Sequence, residues 1–269
     1  MNSYPLVKFS KNNSDNFFRI LNKRVNEYFK LNGLKKTGDY RLYIKTGVML
    51  SLFILPYLAT LIIGLPIWAL FIMYAIMGIG VAGIGLCIMH DSLHGSFAKN
   101  PKINTLFSLS MNLIGGSAFT WKVQHNYLHH TFTNVKHLDE DIDDKPFIRL
   151  SPTGKLKKYH RFQHIYAFFL YSLATVSWLL FKDFKQLKQY NKSGITDEHG
   201  KGVMQETSLM ILSKSLFVFF LLVLPVIVGL PFWVVICGFL LMQVIAGFYI
   251  TVVFQLAHVV EGPEHHDAI

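Results

Sequence analysis

Five histidines fall into two short clusters, His90-Asp91-Ser92-Leu93-His94 and His125-Asn126-Tyr127-Leu128-His129-His130. Neutral imidazole is the commonest metal-binding side chain and suits iron, zinc, copper and nickel. Residues four apart share a face of an α-helix, so His90 projects with His94, and His125 with His129. His130 lies one step round and reaches a neighbouring point. No cysteine joins them as a ligand: Cys87 and Cys237 both fall in apolar tracts and read as packing residues. A donor set of imidazoles without thiolate suits an iron-like metal. One such pair arises easily by chance, but two that each border a long apolar segment point to a site.

Residues 46–90 and 215–260 contain no Asp, Glu, Lys or Arg. A membrane-crossing helix needs about 20 apolar residues, so each tract is long enough for two. With 52% hydrophobic and only 16% charged residues overall, the chain is expected to be an all-α, multi-pass membrane protein. The net charge of +10 comes from Lys and Arg confined to 1–45 and 99–214. Tracts this apolar exclude a nucleic-acid-binding domain, and the basic residues fit the cytoplasmic side and anionic headgroups of the lipid bilayer. The N-terminus carries too much charge of both signs for a secretory signal peptide.

The expected architecture is two transmembrane hairpins, with spans at about 46–63, 67–89, 211–228 and 232–257, and a cytoplasmic or interfacial helical cap over 90–210 that carries the histidines. Each hairpin turns at a Gly-Leu-Pro, residues 64–66 and 229–231, followed by Trp68 or Trp233 where an interfacial anchor belongs. Both hairpins return to the basic side, so His90 and His258 emerge on the same face. Residues 1–45 read as an amphipathic cytoplasmic arm, lying on the membrane or packed on its own domain. The stretches 104–120 and 165–181 are expected at the surface or interface. The acidic run Asp139-Glu140-Asp141-Ile142-Asp143-Asp144 reads foremost as a solvated loop with one carboxylate in a structural bond, the other reading being that it orients ligand imidazoles from behind, and 182–207 reads as a hydrophilic connector.

Metal-binding imidazoles at the mouth of a membrane bundle suggest a lipid substrate. An unactivated C–H bond in an acyl chain yields only to an oxidant, usually made from O2 at iron. At this point a resemblance becomes specific. His90-Asp91-Ser92-Leu93-His94-Gly95-Ser96 resembles the first histidine box of the membrane fatty-acid desaturases. His125-Asn126-Tyr127-Leu128-His129-His130-Thr131-Phe132-Thr133-Asn134, with Asp139 and Asp141 beyond it, is similar to the second box, of the front-end or linoleoyl-CoA variety. Phe254-Gln255-Leu256-Ala257-His258-Val259-Val260-Glu261 resembles the segment that closes the fourth span in that group.

The resemblance implies an oxidoreductase with two non-haem iron ions, which uses O2 and two electrons to place a cis double bond in a long-chain acyl-CoA or acyl-lipid. Carried over residue by residue, it makes His90, His94, His125, His129 and His130 the catalytic iron ligands and His258 a further ligand. Gln255 and Asp91 would support them, Asp91 by accepting a hydrogen bond from an imidazole. No His-Pro-Gly-Gly haem motif occurs, so electrons would come from an external carrier such as ferredoxin or a cytochrome b5-type donor. The family's third box, Gln-x-x-His-His or His-x-x-His-His, is not found; Glu264-His265-His266 pairs histidines without the preceding Gln or His. The expectation is therefore a desaturase truncated before its third box, with an incomplete metal site and little or no activity as a fragment alone. His160 and His164 lie outside the boxes and read as interfacial, and His137 and His199 as surface residues. A di-iron hydroxylase or ketolase is the sister reading, and a membrane metal transporter the reading from another class. Transporters, however, place ionisable groups within their spans, and here the tracts are free of charge.

Overall fold

In a bilayer every backbone polar group must be satisfied inside its own segment, so long helices carry the fold. The computed structural model describes residues 14–142, 145, 147–152 and 154–265. Among them the regular structure is helical, with one isolated bridge between Lys145 and Ile148. Four helices are long and apolar enough to cross a membrane: Tyr40–Ile62, Ile67–Leu93, Val203–Ile227 and Phe232–His258.

Three of these outrun the apolar windows that mark them in the sequence. The first begins at Tyr40 rather than Thr46 because the Asp39 carboxylate accepts the Arg41 N–H at 2.9 Å and caps it. The second continues past Met89 to Leu93, so the first histidine box is the last turn of a long apolar helix. The third begins at Val203 rather than near 211, with Glu206 turned back to accept the Lys201 N–H at 3.0 Å. The Gly-Leu-Pro turns are as expected, Gly64 and Gly229 having φ of 64° and 102°. Trp68 and Trp233 are exposed beside them.

The second helix is the central one, packed against both the first and the fourth. Its buried side chains, among them Tyr74, Met77, Val81, Ile84 and Ile88, meet Phe53 on the first helix and Met242 and Ala246 on the fourth. Small residues let the backbones approach: a Cβ on Gly80 would lie 2.7 Å from the Phe53 nitrogen.

Between the second and third helices, residues 158–193 form a bent pair, Lys158–Ser172 and Ala174–Ser193, meeting at 54°. The stretch 165–181, expected as one interfacial helix, is this bend. It sits on the fourth helix, where Gly247 has no side chain to strike the Ser172 carbonyl. Thr175 Oγ1 donates to the Gln243 carbonyl at 2.9 Å and Thr251 Oγ1 to the Tyr171 carbonyl at 3.3 Å. Counted as one broken span, the pair would make a fifth. Of the amphipathic arm, residues 1–13 fall outside those described. Helix Ser14–Leu31 leaves Phe17, Phe18, Ile20, Leu21, Val25 and Tyr28 exposed.

Overpacking a close backbone contact costs about 1–3 kcal/mol. Gly80→Val is therefore expected to lower the thermal midpoint and folded yield in detergent, whereas Gly47→Ala, with nothing within 4 Å of the added carbon, leaves both intact.

Candidate metal centre

Both histidine boxes lie where a helix is widened. Over Ile84–Met89 and again over Val123–His129, backbone hydrogen bonds run to the fifth residue back. The His90 N–H thus reaches the Gly85 carbonyl, and the His130 N–H reaches the His125 carbonyl. Such widened turns are rare and concentrate at functional sites. They add a residue per turn and bring position i+5 round over i. His130 consequently stands against His125, Nε2 to Nε2 at 3.3 Å, instead of a step round the helix. His125 and His129 still share a side, their rings stacked at 5.3 Å and 15°.

The rings converge from three segments. His94 lies 4.5 Å from His90, 5.2 Å from His125 and 4.8 Å from His130, centroid to centroid. His258, in the last turn of the fourth helix, lies 4.6 Å from His129 and 5.6 Å from His125. Two groups have potential ligand atoms all within 4.8 Å of one another: His90, His94 and His125, and His125, His129, Asp141 and His258. They share His125. Asn126 ties the boxes together, its Nδ2 donating to the Leu93 carbonyl at 2.7 Å.

Carboxylates orient the imidazoles. Asp139 is 0% exposed, and its Oδ1 takes the His129 Nδ1–H at 2.8 Å; Asp141 Oδ2 takes the His125 Nδ1–H at 3.1 Å. His258 Nδ1 donates to the Phe254 carbonyl at 2.6 Å. In all three the Nε2 lone pair is left for a metal, the arrangement by which outer carboxylates and carbonyls fix metal-binding histidines. The run read as a solvated loop thus holds two carboxylates hydrogen-bonded to imidazoles. Asp143 and Asp144 fall outside the described residues. Asp91 is the weaker partner, at 3.4 Å from His90 Nδ1.

Titration follows the packing. Burial lowers the pKa of His94, and with the neighbouring His90, His125 and His130 it brings it down to about 4. Burial also lowers His125, only partly offset by Asp141, and lowers His130, aided by His129 and His258. For His129, burial is outweighed by the Asp139 hydrogen bond and the charges of Asp141 and Asp139, so its pKa rises. Burial acts to raise Asp141, but the hydrogen bond with His125 and the charge of Lys182 hold it well below the usual carboxylate range. His94, His125 and His130 stay neutral, as metal binding requires, beside an ionised carboxylate.

A cavity of about 680 Å³ opens beside the cluster. His125, His258 and Gln255 line it together with the apolar Leu170, Leu173 and Phe181 and the charged Glu140, Lys182 and Lys185. Gln255 Oε1 is buried without a hydrogen-bond partner. Trp121 packs on His125 with ring centroids 4.4 Å apart and closes the near side. Behind the carboxylates is a support that pattern alone does not reveal. Gln124 donates to Asp141, and Gln186 donates to Gln124 Oε1 at 2.6 Å and to Glu140 Oε2 at 2.5 Å. Gln186 belongs to the supposed hydrophilic connector, and only its spacing with Asp183, Leu187 and Tyr190 on one helix face hints that it is buried. The remaining histidines stay apart. His160 Nδ1 accepts the Lys157 N–H at 3.2 Å, His199 stacks on Tyr127 at 4.0 Å, and neither His164 nor His265 joins either group. His266 falls outside the described residues. His137 is exposed at the rim of the cavity.

A family model described as fatty acid desaturase matches residues 44–268. An sn-1 linoleoyl-lipid 6-desaturase of Arthrospira platensis is 31% identical over 270 aligned positions, covering 97% of this chain and 70% of that protein. A protein of the same description from Synechocystis sp. is 28% identical, over 96% of this chain and 71% of its own length. An acyl-lipid (8-3)-desaturase of Physcomitrium patens is 29% identical over 95% of this chain, which spans 53% of that relative. No solved structure matches the chain significantly.

Loss of a carboxylate behind a metal-binding histidine typically costs 10–100-fold in metal affinity. Asp139→Asn is accordingly expected to weaken Co2+ binding, followed by its visible absorption in purified protein, by roughly 10–100-fold. Glu27→Gln, on the exposed face of helix Ser14–Leu31, is expected to leave it unchanged.

Proposed function

The chain belongs to the fatty acid desaturase family, a family of oxidoreductases, and from that premise we propose that it is a membrane acyl-lipid desaturase that introduces a cis double bond into a long acyl chain. The observation that carries the proposal is the convergence of six imidazoles, from His90, His94, His125, His129, His130 and His258, beside a cavity that His125 and His258 line together with Leu170, Leu173 and Phe181. The names of the relatives, linoleoyl-lipid and acyl-lipid desaturases, favour a lipid-bound acyl group over a CoA ester.

The donor set fits iron: nitrogen ligands without thiolate, with carboxylates behind the rings. The six imidazoles would hold two ions. Bound iron, with O2 and electrons from a carrier such as ferredoxin or cytochrome b5, supplies the oxidising power to remove hydrogen from an unactivated methylene. Overall, two hydrogens from the chain, two electrons, two protons and one O2 leave as two waters. The protein's own groups do the rest. Asp139 and Asp141 hold the tautomer and direction of His129 and His125. Trp121 and Phe254 pack against the rings and keep water from the reacting methylenes. The apolar wall of Leu170, Leu173, Phe181 and Ile250 lays the chain out beside them.

In the membrane, we place the four long helices as two hairpins with the histidine boxes on the cytoplasmic side. Support comes from the Lys and Arg residues, which all lie outside 46–90 and 215–260.

Expression in a host membrane followed by mass spectrometry of the fatty acids tests this reading. The expected product is an acyl chain with one more double bond and no added oxygen. His129→Ala is expected to abolish conversion, with the iron content reduced and the amount of inserted protein unchanged. A hydroxylated product would make the chain a hydroxylase, and unaltered conversion by His129→Ala would remove the cluster from the reaction.

A further inference from the structure

Among the described residues, one buried ion pair lies outside the metal centre. Lys214, on the third long helix, is 5% exposed, and Asp183, at the start of the Asp183–Ser193 segment of the bent pair, is 3% exposed. The ammonium donates to Asp183 Oδ2 at 2.8 Å, to the Gly115 carbonyl at 2.9 Å and to the Trp178 carbonyl at 3.0 Å. All three of its protons are therefore used. The other carboxylate oxygen, Asp183 Oδ1, accepts the Thr120 hydroxyl at 3.1 Å. Four segments are joined at a single point: the Gly115-Gly116 turn, the helix that leads into the second histidine box, the bent pair and the third long helix.

Stability alone is a poor account of such a pair, since buried ion pairs seldom outperform well-packed apolar replacements. The position of the pair is more informative. Thr120 precedes Trp121, whose indole packs on His125 at 4.4 Å and on His90 at 5.8 Å. The Trp178 carbonyl held by Lys214 belongs to a residue that lines the same cavity from the bent pair. The ion pair thus ties two lining residues from different segments: Trp121, through its neighbour Thr120, and Trp178, through its carbonyl.

We propose that Lys214 and Asp183 are positioning residues that set the register between the cavity wall and the imidazoles, and so determine which carbon of the acyl chain is desaturated. The inference rests on the desaturase reading. A register device acts on the position of the product, which a purely structural pair would leave alone. A misplacement on the order of 1 Å can cost about 100-fold in rate at the correct carbon, enough to let a neighbouring carbon compete.

The test compares positional isomers formed by wild type, Thr120→Val, Lys214→Met and the double variant Lys214→Gln with Asp183→Asn, with iron content and thermal midpoint measured on each. Thr120→Val removes one arm while keeping the ion pair and the side-chain shape, and its thermal midpoint reports whether it folds. It is expected to raise the share of a second positional isomer several-fold at unchanged iron content. Lys214→Met should do so more strongly with a lower midpoint, and the double variant, which restores a neutral hydrogen-bonded pair, should return the product towards that of wild type. A single, unshifted isomer from Thr120→Val would overturn the proposal, even if Lys214→Met fails to fold. A wild type that holds iron yet forms no product would instead reject the desaturase reading. The register would then be read from quenching of Trp121 and Trp178 by phosphatidylcholine carrying a nitroxide at successive acyl carbons, in a Trp68→Phe, Trp233→Phe background. The carbon of strongest quenching should move in Thr120→Val, and an unmoved profile would overturn the proposal.

Discussion

The arrangement depends on hydrogen bonds from imidazole Nδ1 to buried carboxylates. An imidazole has two nitrogens, and a partner at one decides what the other can do. Asp139 and Asp141 engage Nδ1 of His129 and His125, which turns each Nε2 towards the neighbouring rings. A buried carboxylate needs partners of its own. Asp139 finds them in the backbone N–H groups of Asn134 at 2.9 Å and Asp141 at 3.1 Å. That requires the chain to double back within ten residues of His129, and it does so by placing Asn134 and His137 at φ of 62° and 65°. Side chains other than glycine rarely occupy this region, Asn and His more readily than most. The strained loop is the cost of bringing the acid back to the base.

The membrane helices contribute rigidity and register. His90 and His258 are each in a final turn of a long apolar helix, so their positions are set by packing along the second and fourth helices rather than by a flexible loop. The second box lacks a span of its own and is secured in other ways: Asn126 to the Leu93 carbonyl, Gln124 and Gln186 to the carboxylates, and Thr120 to Asp183. Its widened backbone then selects which histidines meet. With ordinary helical spacing His125 and His130 would diverge; with hydrogen bonds to the fifth residue they touch.

This division marks what was legible in the amino-acid sequence. The four apolar helices, their Gly-Leu-Pro turns and the histidine pairs are local patterns, and local patterns are read directly. The widened turns are not, because the same residues would satisfy an ordinary helix equally well. The acidic run illustrates the same limit: Asp139 looks solvated until the loop that buries it is in place. Residues 182–207 read as a connector on composition, yet Asp183, Gln186 and Tyr190 are buried, their polar groups satisfied by partners more than thirty positions away. Lys214 was legible only as the last charge before an apolar tract, because its three acceptors come from other parts of the chain.

The bend in residues 158–193 explains why a cavity exists at all. Two straight helices packed side by side would fill the space between them with side chains. Here the break after Ser172 is pressed onto the fourth helix at Gly247, where backbone meets backbone, and held there by Thr175 and Thr251. Beyond the break the second arm departs at 54°, opening a wedge against the same helix. Leu173, Ala174 and Ser177 face it from one side and Ile250, Thr251 and Phe254 from the other, and the wedge leads to His258 one turn further along. A glycine about three helical turns from His258 is thereby coupled to the shape of the space beside the imidazoles. The lining of that space combines apolar side chains, Leu170, Leu173, Phe181 and Ile250 among them, with Glu140, Lys182, Lys185 and Gln186, so it can take a hydrocarbon chain together with a polar group.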